Sequence, residues 1–175
     1  MLTIGHSNRS LEEFIAILQA HHVDLLVDVR TVPRSRHNPQ FNLENLPASL
    51  KSAGVAHVHM PGLGGLRHAR KDSTNTGWRN DSFRGYADYM QTPEFANNLA
   101  ELIALDQKHR VAVMCAESVP WRCHRSLIAD ALTARGKPVQ HIMSATKANP
   151  HKMTSFARVE GHRVTYPSPE MDLFP

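Results

Sequence analysis

The sequence contains little cysteine and no long apolar run. Two cysteines in 175 residues are too few for the disulfide framework of a small secreted protein. No apolar run approaches the roughly eighteen residues that a membrane span needs. The segment Met1–Ser7 lacks the basic start and following apolar stretch of a secretory signal. We therefore expect a cytoplasmic protein without a membrane partner, in which both thiols stay reduced and available for chemistry.

The composition is that of a folded protein with a small excess of positive charge. Hydrophobic residues make up 41% and charged residues 21% of the sequence, which excludes a disordered chain. The length predicts one domain over residues 1–175, with a core over 1–145 and a C-terminal extension over 146–175. A net charge of +4 favours an anionic partner, although small proteins are often basic without one.

Short apolar runs alternate with amphipathic helical patterns along the chain. Ser10 and Glu13 have the spacing of a capping box, and Asn42 is placed to cap a second helix. Thr92 before Pro93 marks another helix start. Strands are predicted at residues 2–4, 24–29, 55–60, 111–115 and 139–142, a short helix around 86–90 and an edge hairpin within 156–166. This order predicts a three-layer α/β fold, in which a mostly parallel sheet has helices on both faces and a β-hairpin follows near the C-terminus.

The predicted topology gathers several polar side chains on one edge of the sheet, because ligands of such sheets bind outside the carboxyl ends of the strands. Arg34 and Arg36 lie in the proline-rich loop that follows one of these strand ends. The loops Gly62–Gly65 and Cys115–Arg125 follow two others. The predicted ligand-binding residues are His6, Ser7, Asp28, Arg30, Arg34, Arg36, Arg122 and Arg125.

The loop from Cys115 to Arg125 carries the residues best suited to covalent chemistry. Cys115 ends a predicted buried strand, and Cys123 stands where the next helix should begin. The positive end of a helix dipole and nearby arginines favour the thiolate form of a cysteine. Glu117 and His124 are then the candidate proton carriers of a cysteine-dependent enzyme of sulfur transfer, redox chemistry or hydrolysis. The alternative for Cys115 is a structural role as a small buried residue.

The same strand–loop–helix unit is also a candidate anion site, which requires no thiol chemistry. Backbone N–H groups are free at a helix start, and Arg122 and Arg125 can add charge-assisted hydrogen bonds to a phosphate. The alternative is that these arginines pair with Glu117 or Asp28 and hold the loop. Asp28 itself can orient the guanidinium of Arg122 or Arg125, or act as a base. We predict binding of a phosphate-bearing small molecule, nucleotide or nucleic acid, with the cysteine enzyme as the alternative function.

The motifs indicate no resident cofactor and no metal. The loop Gly62–Gly65 is too short for a dinucleotide fingerprint and supports only a flexible loop that closes on a ligand. The histidines and cysteines lack the paired spacing of a zinc site. A basic flank and several aromatic residues together offer a surface on which nucleic-acid bases can stack. The alternative is that the aromatic residues belong to the local core and the basic residues form a solvated rim. The histidines are His6, His57, His59 and His124, the flank is Arg34, Arg36, His37, Arg67, His68, Arg70 and Lys71, and the aromatics are Trp78, Phe83, Tyr86 and Trp121.

Several of these motifs occur together in a known family. They are Thr3–Ser7, Leu26–Arg30 with Pro33, Ser35 and Arg36, Leu63–Gly65, Met114–Glu117 and Cys123–Arg125. As a set they resemble the domain of unknown function 488 (DUF488) family, and the resemblance runs from Thr3 to about Ile142. It implies a small cytosolic α/β protein with no assigned reaction.

A second resemblance, to rhodanese domains, rests on two strand ends. One strand ends in Asp28-Val-Arg30, and a later one ends in Cys115 before a loop and a helix. This resemblance implies a Rossmann-like or rhodanese-like sheet. In rhodaneses the cysteine carries a persulfide, held by a short loop that an arginine closes. Here the loop is longer, contains Pro120 and reaches its first arginine at Arg122.

Overall fold

Six strands form one sheet in the computed structural model, which describes residues 1–168. In chain order they are β1 Leu2–Gly5, β2 Leu25–Asp28, β3 Ala56–His59, β4 Val111–Cys115, β5 Gln140–Ser144 and β6 Lys147–Pro150. Their order across the sheet is β3-β2-β4-β1-β5-β6. Strands β1 to β5 are parallel, and β6 pairs antiparallel with β5. The mostly parallel sheet predicted from the alternating pattern is confirmed.

Helices connect the parallel strands. Their bounds are α1 Leu11–Ala20, α2 Leu46–Ser52, α3 Asp81–Tyr89, α4 Pro93–Asp106 and α5 Arg125–Thr133. The Ser10 side chain accepts a hydrogen bond from the backbone N–H of Glu13 at 3.1 Å, and Thr92 caps α4 through the N–H of Phe95 at 3.2 Å. The caps at Ser10 and Thr92 are confirmed, whereas the Glu13 side chain pairs with Arg9 at 3.6 Å and not with the Ser10 backbone, so only half of the predicted capping box forms. Within residues 1–168 no helix is long and apolar enough to cross a membrane.

Two helix starts differ from the prediction. Asn42 does not cap α2, because its side chain accepts a hydrogen bond from the backbone of Ser35 at 2.7 Å and the helix begins only at Leu46. Helix α3 begins at Asp81, well before the short helix predicted around residues 86–90. Asn80 caps it by accepting two backbone hydrogen bonds. Phe83 is the one apolar residue of its first turn, so no apolar spacing marks the start in the sequence.

The core has two layers, one on each face of the sheet. Successive strand residues point to opposite faces, and on β2 and β4 both sets are buried. One face packs Leu25, Val27, Val111 and Val113 against residues of α3, α4 and α5. The other packs Leu26, Ala112 and Met114 against α1 and α2. Helices on both faces confirm the predicted three-layer fold.

The predicted C-terminal hairpin is present, but it does not extend the large sheet. Strands β7 Arg158–Glu160 and β8 Arg163–Thr165 pair antiparallel as a sheet of their own. Gly161 has a φ of 62° in the turn between them, a conformation that glycine adopts without strain. One edge of the large sheet is β3 and the other is β6, and the sequence pattern did not indicate β6. Residues 169–175 of the predicted extension lie outside the described range.

Candidate functional site

The carboxyl ends of β1, β2 and β4 meet at one edge of the sheet, as the topology predicted. Gly5 on β1 pairs with Cys115 on β4, and Asp28 on β2 pairs with Met114 on β4. The pairing continues past the strands, since the N–H of Ser7 donates to the carbonyl of Ala116 at 2.9 Å. The loops after these strands are thereby held side by side.

The two cysteines lie in contact at this edge. The Sγ atoms of Cys115 and Cys123 are 2.6 Å apart, and both residues are free thiols in the buried interior. A turn of 3₁₀ helix, Pro120–Arg122, folds the loop back, and the N–H of Cys123 donates to the carbonyl of Pro120 at 3.0 Å. From the sequence, each cysteine was a separate candidate for the reactive thiol, whereas in the structure the two thiols form a contact pair.

The two thiols have opposite protonation behaviour. Burial opposes ionisation of Cys123, but hydrogen bonds from Cys115 and His124 and the positive charge of Arg125 outweigh it and lower the pKa of Cys123 well below its usual value. Burial and the hydrogen bond to Cys123 raise the pKa of Cys115 well above its usual value. Ionisation is therefore favoured at Cys123 over Cys115. The backbone N–H of Arg125, at the start of α5, also donates to the Cys123 sulfur at 3.5 Å.

Arg125 lies beneath the loop and not on its surface. Its side chain is fully buried, and NH2 donates to the carbonyls of Glu117 at 2.7 Å and Ser118 at 3.3 Å. NH1 donates to Thr3 Oγ1 at 3.1 Å. In this arrangement Arg125 holds the loop, which is the alternative that the sequence left open, although its acceptors are carbonyls and not a carboxylate. A Cβ on Gly5 would lie 1.7 Å from the Glu117 carbonyl oxygen, so glycine is needed there.

Asp28 and Arg30 form a buried pair beside the cysteine loop. The Arg30 Nε–H donates to one Asp28 oxygen at 2.9 Å and NH2 donates to the other at 2.6 Å. Burial raises the pKa of Asp28, but the hydrogen bonds and positive charge of Arg30 outweigh it and lower the value to about 2, with a further contribution from His57, whose Nε2 lies 3.8 Å from the carboxylate. Asp28 is therefore ionised at neutral pH and orients the Arg30 guanidinium. Asp28 thus orients an arginine, but that arginine is Arg30 and not Arg122 or Arg125 as predicted.

His6 completes the polar wall next to this pair. Its Nδ1 is 2.7 Å from the Ser7 carbonyl and its Nε2 is 3.3 Å from Arg30 NH1. A neutral ring that donates from Nδ1 and accepts at Nε2 satisfies both contacts. Burial is the main reason that the pKa of His6 falls to about 4. The ring also stacks on Phe41, with 4.3 Å between the centroids.

Two cavities flank the loop that follows Cys115. One, of about 380 Å³, is lined by the predicted residues His6, Ser7, Arg30, Arg34 and Glu117, together with Ser35. The other, of about 150 Å³, is lined by Glu117, Arg122, Cys123 and His124, with Tyr86 and Gly65. The Glu117 side chain is exposed and lines both cavities.

The other predicted residues either lie outside these two cavities or have partners of their own. Arg36 is exposed and lines neither cavity. Arg34 is exposed and forms an ion pair with Glu44 at 3.3 Å. In the basic flank, Arg67 covers the ring of Tyr89 at 3.7 Å. Trp78 stacks on Phe83 and packs against Phe156, which makes them local core, whereas Trp121 is 65% exposed. Among residues 1–168 no group of three or more histidine, cysteine or acidic side chains is placed to hold a metal ion.

No sequence pattern indicated a buried hydrogen-bond chain that begins at Arg125. Thr3 accepts from Arg125 and lies 2.7 Å from Nδ1 of His141. Nε2 of His141 lies 2.9 Å from Nδ1 of His151, whose Nε2 lies 2.7 Å from Asp130. Because the Asp130 carboxylate only accepts and the Arg125 guanidinium only donates, every link is satisfied with donation running toward Asp130. The members are far apart in sequence, so spacing does not reveal them.

Together the sheet and its edge define an α/β protein with a buried cysteine pair at the start of a helix. A family model described as a domain of unknown function, DUF488, matches residues 10–132. The chain therefore belongs to the DUF488 family. The match spans the sequence from just before α1 to α5 and includes both cysteines and Arg125. No curated protein and no solved structure matches the chain.

Proposed function

We propose that this protein catalyses thiol–disulfide exchange on a small disulfide, with Cys123 as the nucleophile and Cys115 as the resolving thiol. The supporting observation is the 2.6 Å contact between the two sulfurs. A thiolate is the reactive form of cysteine, and hydrogen bonds and positive charge stabilise it here. The cavity of about 150 Å³ brings a substrate to Cys123. The proposal develops the cysteine-dependent alternative derived from the sequence.

The exchange takes place in two balanced steps. The Cys123 thiolate attacks one sulfur of the substrate disulfide, so that one S–S bond forms, one breaks and a substrate thiolate leaves. Cys115 then attacks the Cys123 sulfur of the mixed disulfide, the second substrate sulfur leaves as a thiolate, and the Cys115 proton goes to the thiolate already released. The substrate gains two electrons and the protein becomes a disulfide. A soluble dithiol reductant restores both thiols, while Glu117 and His124 line the cavity in which protons move.

Trapping experiments with cystamine test this proposal. The wild-type protein is expected to lose the mass of two hydrogen atoms and to regain it with dithiothreitol. The Cys115→Ser variant, which has no resolving thiol, is expected to accumulate a mixed disulfide on Cys123. The Cys123→Ser variant should react at least about 30-fold more slowly at neutral pH, because an unperturbed thiol is only a few per cent ionised. Intact-protein mass spectrometry measures all three.

Two outcomes would contradict the exchange mechanism. Either the Cys123→Ser variant reacts as fast as the wild type, or the wild type retains a mixed disulfide on each cysteine. A Ser126→Ala variant is the matched control, since Ser126 lies on the same helix start and its hydroxyl donates to the Cys123 carbonyl at 3.0 Å without touching a sulfur. Its reaction with cystamine should equal that of the wild type.

We also propose that the cavity of about 380 Å³ binds a phosphate-bearing ligand, such as a nucleotide or the end of a nucleic acid. The favouring observation is that His6, Ser7, Arg30 and Arg34, all predicted to bind ligand, line this one cavity. Asp28 holds the Arg30 guanidinium in a fixed orientation, and pre-orientation lowers the entropy lost on binding. Arg34 at the rim supplies the more mobile charge.

Calorimetric titration with inorganic pyrophosphate tests this second proposal. The Arg34→Ala variant is expected to bind about five-fold more weakly, as for the loss of an exposed charge contact. Affinity should also fall as salt rises, because phosphate contacts are screened. The control is Arg36→Ala, an exposed arginine in the same loop that does not line the cavity. Equal affinities of the two variants would exclude Arg34 from the site.

A further inference from the structure

A third cavity, larger than the two that flank the cysteine loop, lies at the carboxyl end of β5. Its volume is about 650 Å³, and both tryptophans of the sequence, Trp78 and Trp121, line it. Small-molecule sites range over about 300–1,000 Å³. Neither the thiol chemistry nor the phosphate cavity uses any part of this space, so its residues need their own explanation.

The walls are aromatic and apolar. Trp121 is 65% exposed and stands on the Pro120–Arg122 turn that folds back the cysteine loop. Trp78 belongs to the local core, where its ring stacks on Phe83 with 4.8 Å between the centroids. Pro120, Pro150 and Met143 supply most of the remaining apolar surface. An exposed tryptophan at the mouth of a cavity offers a large stacking surface with little conformational freedom to lose.

The buried hydrogen-bond chain keeps the inner side of the cavity rigid. His141 and His151 line it, and both ring nitrogens of each histidine already have partners. Asp130, at the end of the chain, also accepts from the hydroxyl of Tyr166 at 2.8 Å and from the backbone N–H of Thr154 at 3.1 Å. The two rings are therefore held in place before any ligand arrives, which lowers the entropy cost of binding.

The charge at the cavity is of one sign. Lys152 lines it and is exposed. The ion pairs formed within residues 1–168 do not include Lys152, and the described lining residues include no carboxylate. Asn149 adds a further hydrogen-bonding side chain beside it. An aromatic wall with one free ammonium group matches a flat ring that carries an anionic group.

We propose that this cavity is a binding site for a small molecule that joins an aromatic ring to an anionic group, in the manner of a purine nucleoside monophosphate. The ring stacks on Trp121, and the anionic group contacts Lys152. The site is separate from the cysteine pair, so its occupancy does not depend on thiol chemistry. It is also separate from the cavity lined by Arg30 and Arg34.

Intrinsic fluorescence tests the site directly, because both tryptophans of the protein line it. Titration of the full chain with adenosine 5′-monophosphate is expected to give saturable quenching. Trp121→Ala, at an exposed position, should weaken binding about ten-fold, as for the loss of one stacking partner, with Trp78 still reporting. Lys152→Ala should weaken it about five-fold, and adenosine should bind the wild type about as weakly as the monophosphate binds this variant.

The controls separate this site from the other two. Lys147→Ala removes an exposed lysine on β6 that does not line the cavity, and it should leave the affinity unchanged, as should Cys123→Ser and Arg34→Ala. Absence of saturable quenching at millimolar nucleotide overturns the proposal. So does wild-type affinity in Trp121→Ala, equal affinity for adenosine and its monophosphate, or loss of binding in Arg34→Ala.

Discussion

Replacement of Arg125 by methionine is expected to lower the free energy of unfolding by about 3 kcal/mol. The side chain is fully buried, and its guanidinium donates to two carbonyls of the cysteine loop and to Thr3. Methionine fills a similar volume, but it leaves these acceptors without a donor in a buried site, and each such loss costs about 1–3 kcal/mol. Urea denaturation measures the change, with the dependence of the free energy of unfolding on urea concentration expected to be the same in both proteins.

The same substitution is expected to raise the pKa of Cys123. The positive charge of Arg125 is one of the influences that hold this pKa down. The rate of alkylation of Cys123 near neutral pH should therefore fall in Arg125→Met, in step with the loss of thiolate. The pH dependence of this rate, followed at Cys123 by peptide mass analysis, distinguishes a lost thiolate from a loop that has merely opened.

Arg122→Met is the matched control, because Arg122 is exposed in the same loop. Its effect on stability should stay within about 0.5 kcal/mol. A stable Arg125→Met protein with weakened anion binding would show instead that Arg125 is a ligand-binding residue, as predicted from the sequence. The buried position of the guanidinium supports the first outcome.

Stability is expected to fall steeply as the pH drops from 6.5 to 4. Burial is the main reason that His6 and His141 each have a pKa lowered to about 4 in the folded protein, whereas histidine in an unfolded chain titrates near 6.5. Below that pH the unfolded chain takes up protons that the folded protein does not. Each histidine therefore lowers the free energy of unfolding by about 1.4 kcal/mol per pH unit, or by about 3 kcal/mol in total at pH 4. Above pH 6.5 neither contributes to the pH dependence.

Asp28 extends this acid sensitivity to lower pH. Its pKa of about 2 in the folded protein lies below the ordinary value of 3.8. The stabilisation from its pairing with Arg30 is complete above pH 3.8 and is lost as the pH falls toward 2. Loss of stability should thus begin with the histidines, and Asp28 should contribute only after both have titrated.

Urea unfolding at a series of pH values measures these slopes. His6→Asn is expected to reduce the slope between pH 6.5 and 4 by about half, because one of the two buried histidines no longer takes part. His68→Asn, at an exposed position, should leave the slope as in the wild type. A free energy of unfolding that stays constant from pH 7 to pH 5 would contradict neutral burial of these two rings.

Local sequence patterns were sufficient to predict most of the fold. The apolar runs at β2 and β4 are buried on both faces, and that is the pattern of a strand in a parallel sheet covered by helices. Ser10 and Thr92 cap their helices as predicted, since capping needs only residues three positions apart. Helix α3 was predicted too short because Phe83 is the one apolar residue of its first turn, so apolar spacing does not mark the start, and the capping role of Asn80 was missed.

The sequence also determined which edge of the sheet carries the candidate site. In a parallel sheet all carboxyl ends lie on the same side, so His6, Arg30 and Cys115 had to lie along one edge of the sheet. They are neighbours because the strand order places β4 between β2 and β1, and the sequence alone did not determine that order. The pairing of Cys115 with Cys123 depended instead on how the intervening loop folds back. The position of Arg125 also depended on the fold of this loop, because its guanidinium donates to backbone carbonyl groups of the loop. Every residue has such a carbonyl, so the sequence does not indicate which ones Arg125 contacts.

By itself, then, the sequence determined the layered α/β architecture, the functional edge and the residue types gathered there, because these follow from local periodicity and from the geometry common to parallel sheets. Tertiary structure decided which of the gathered groups are buried, paired or open to a cavity. The chain from Arg125 to Asp130 joins residues from β1, α5, β5 and the segment after β6. The charge of each ionisable group depends on its burial and on its hydrogen-bond partners. Burial and hydrogen-bond partners in turn arise from contacts between elements that are distant in the sequence.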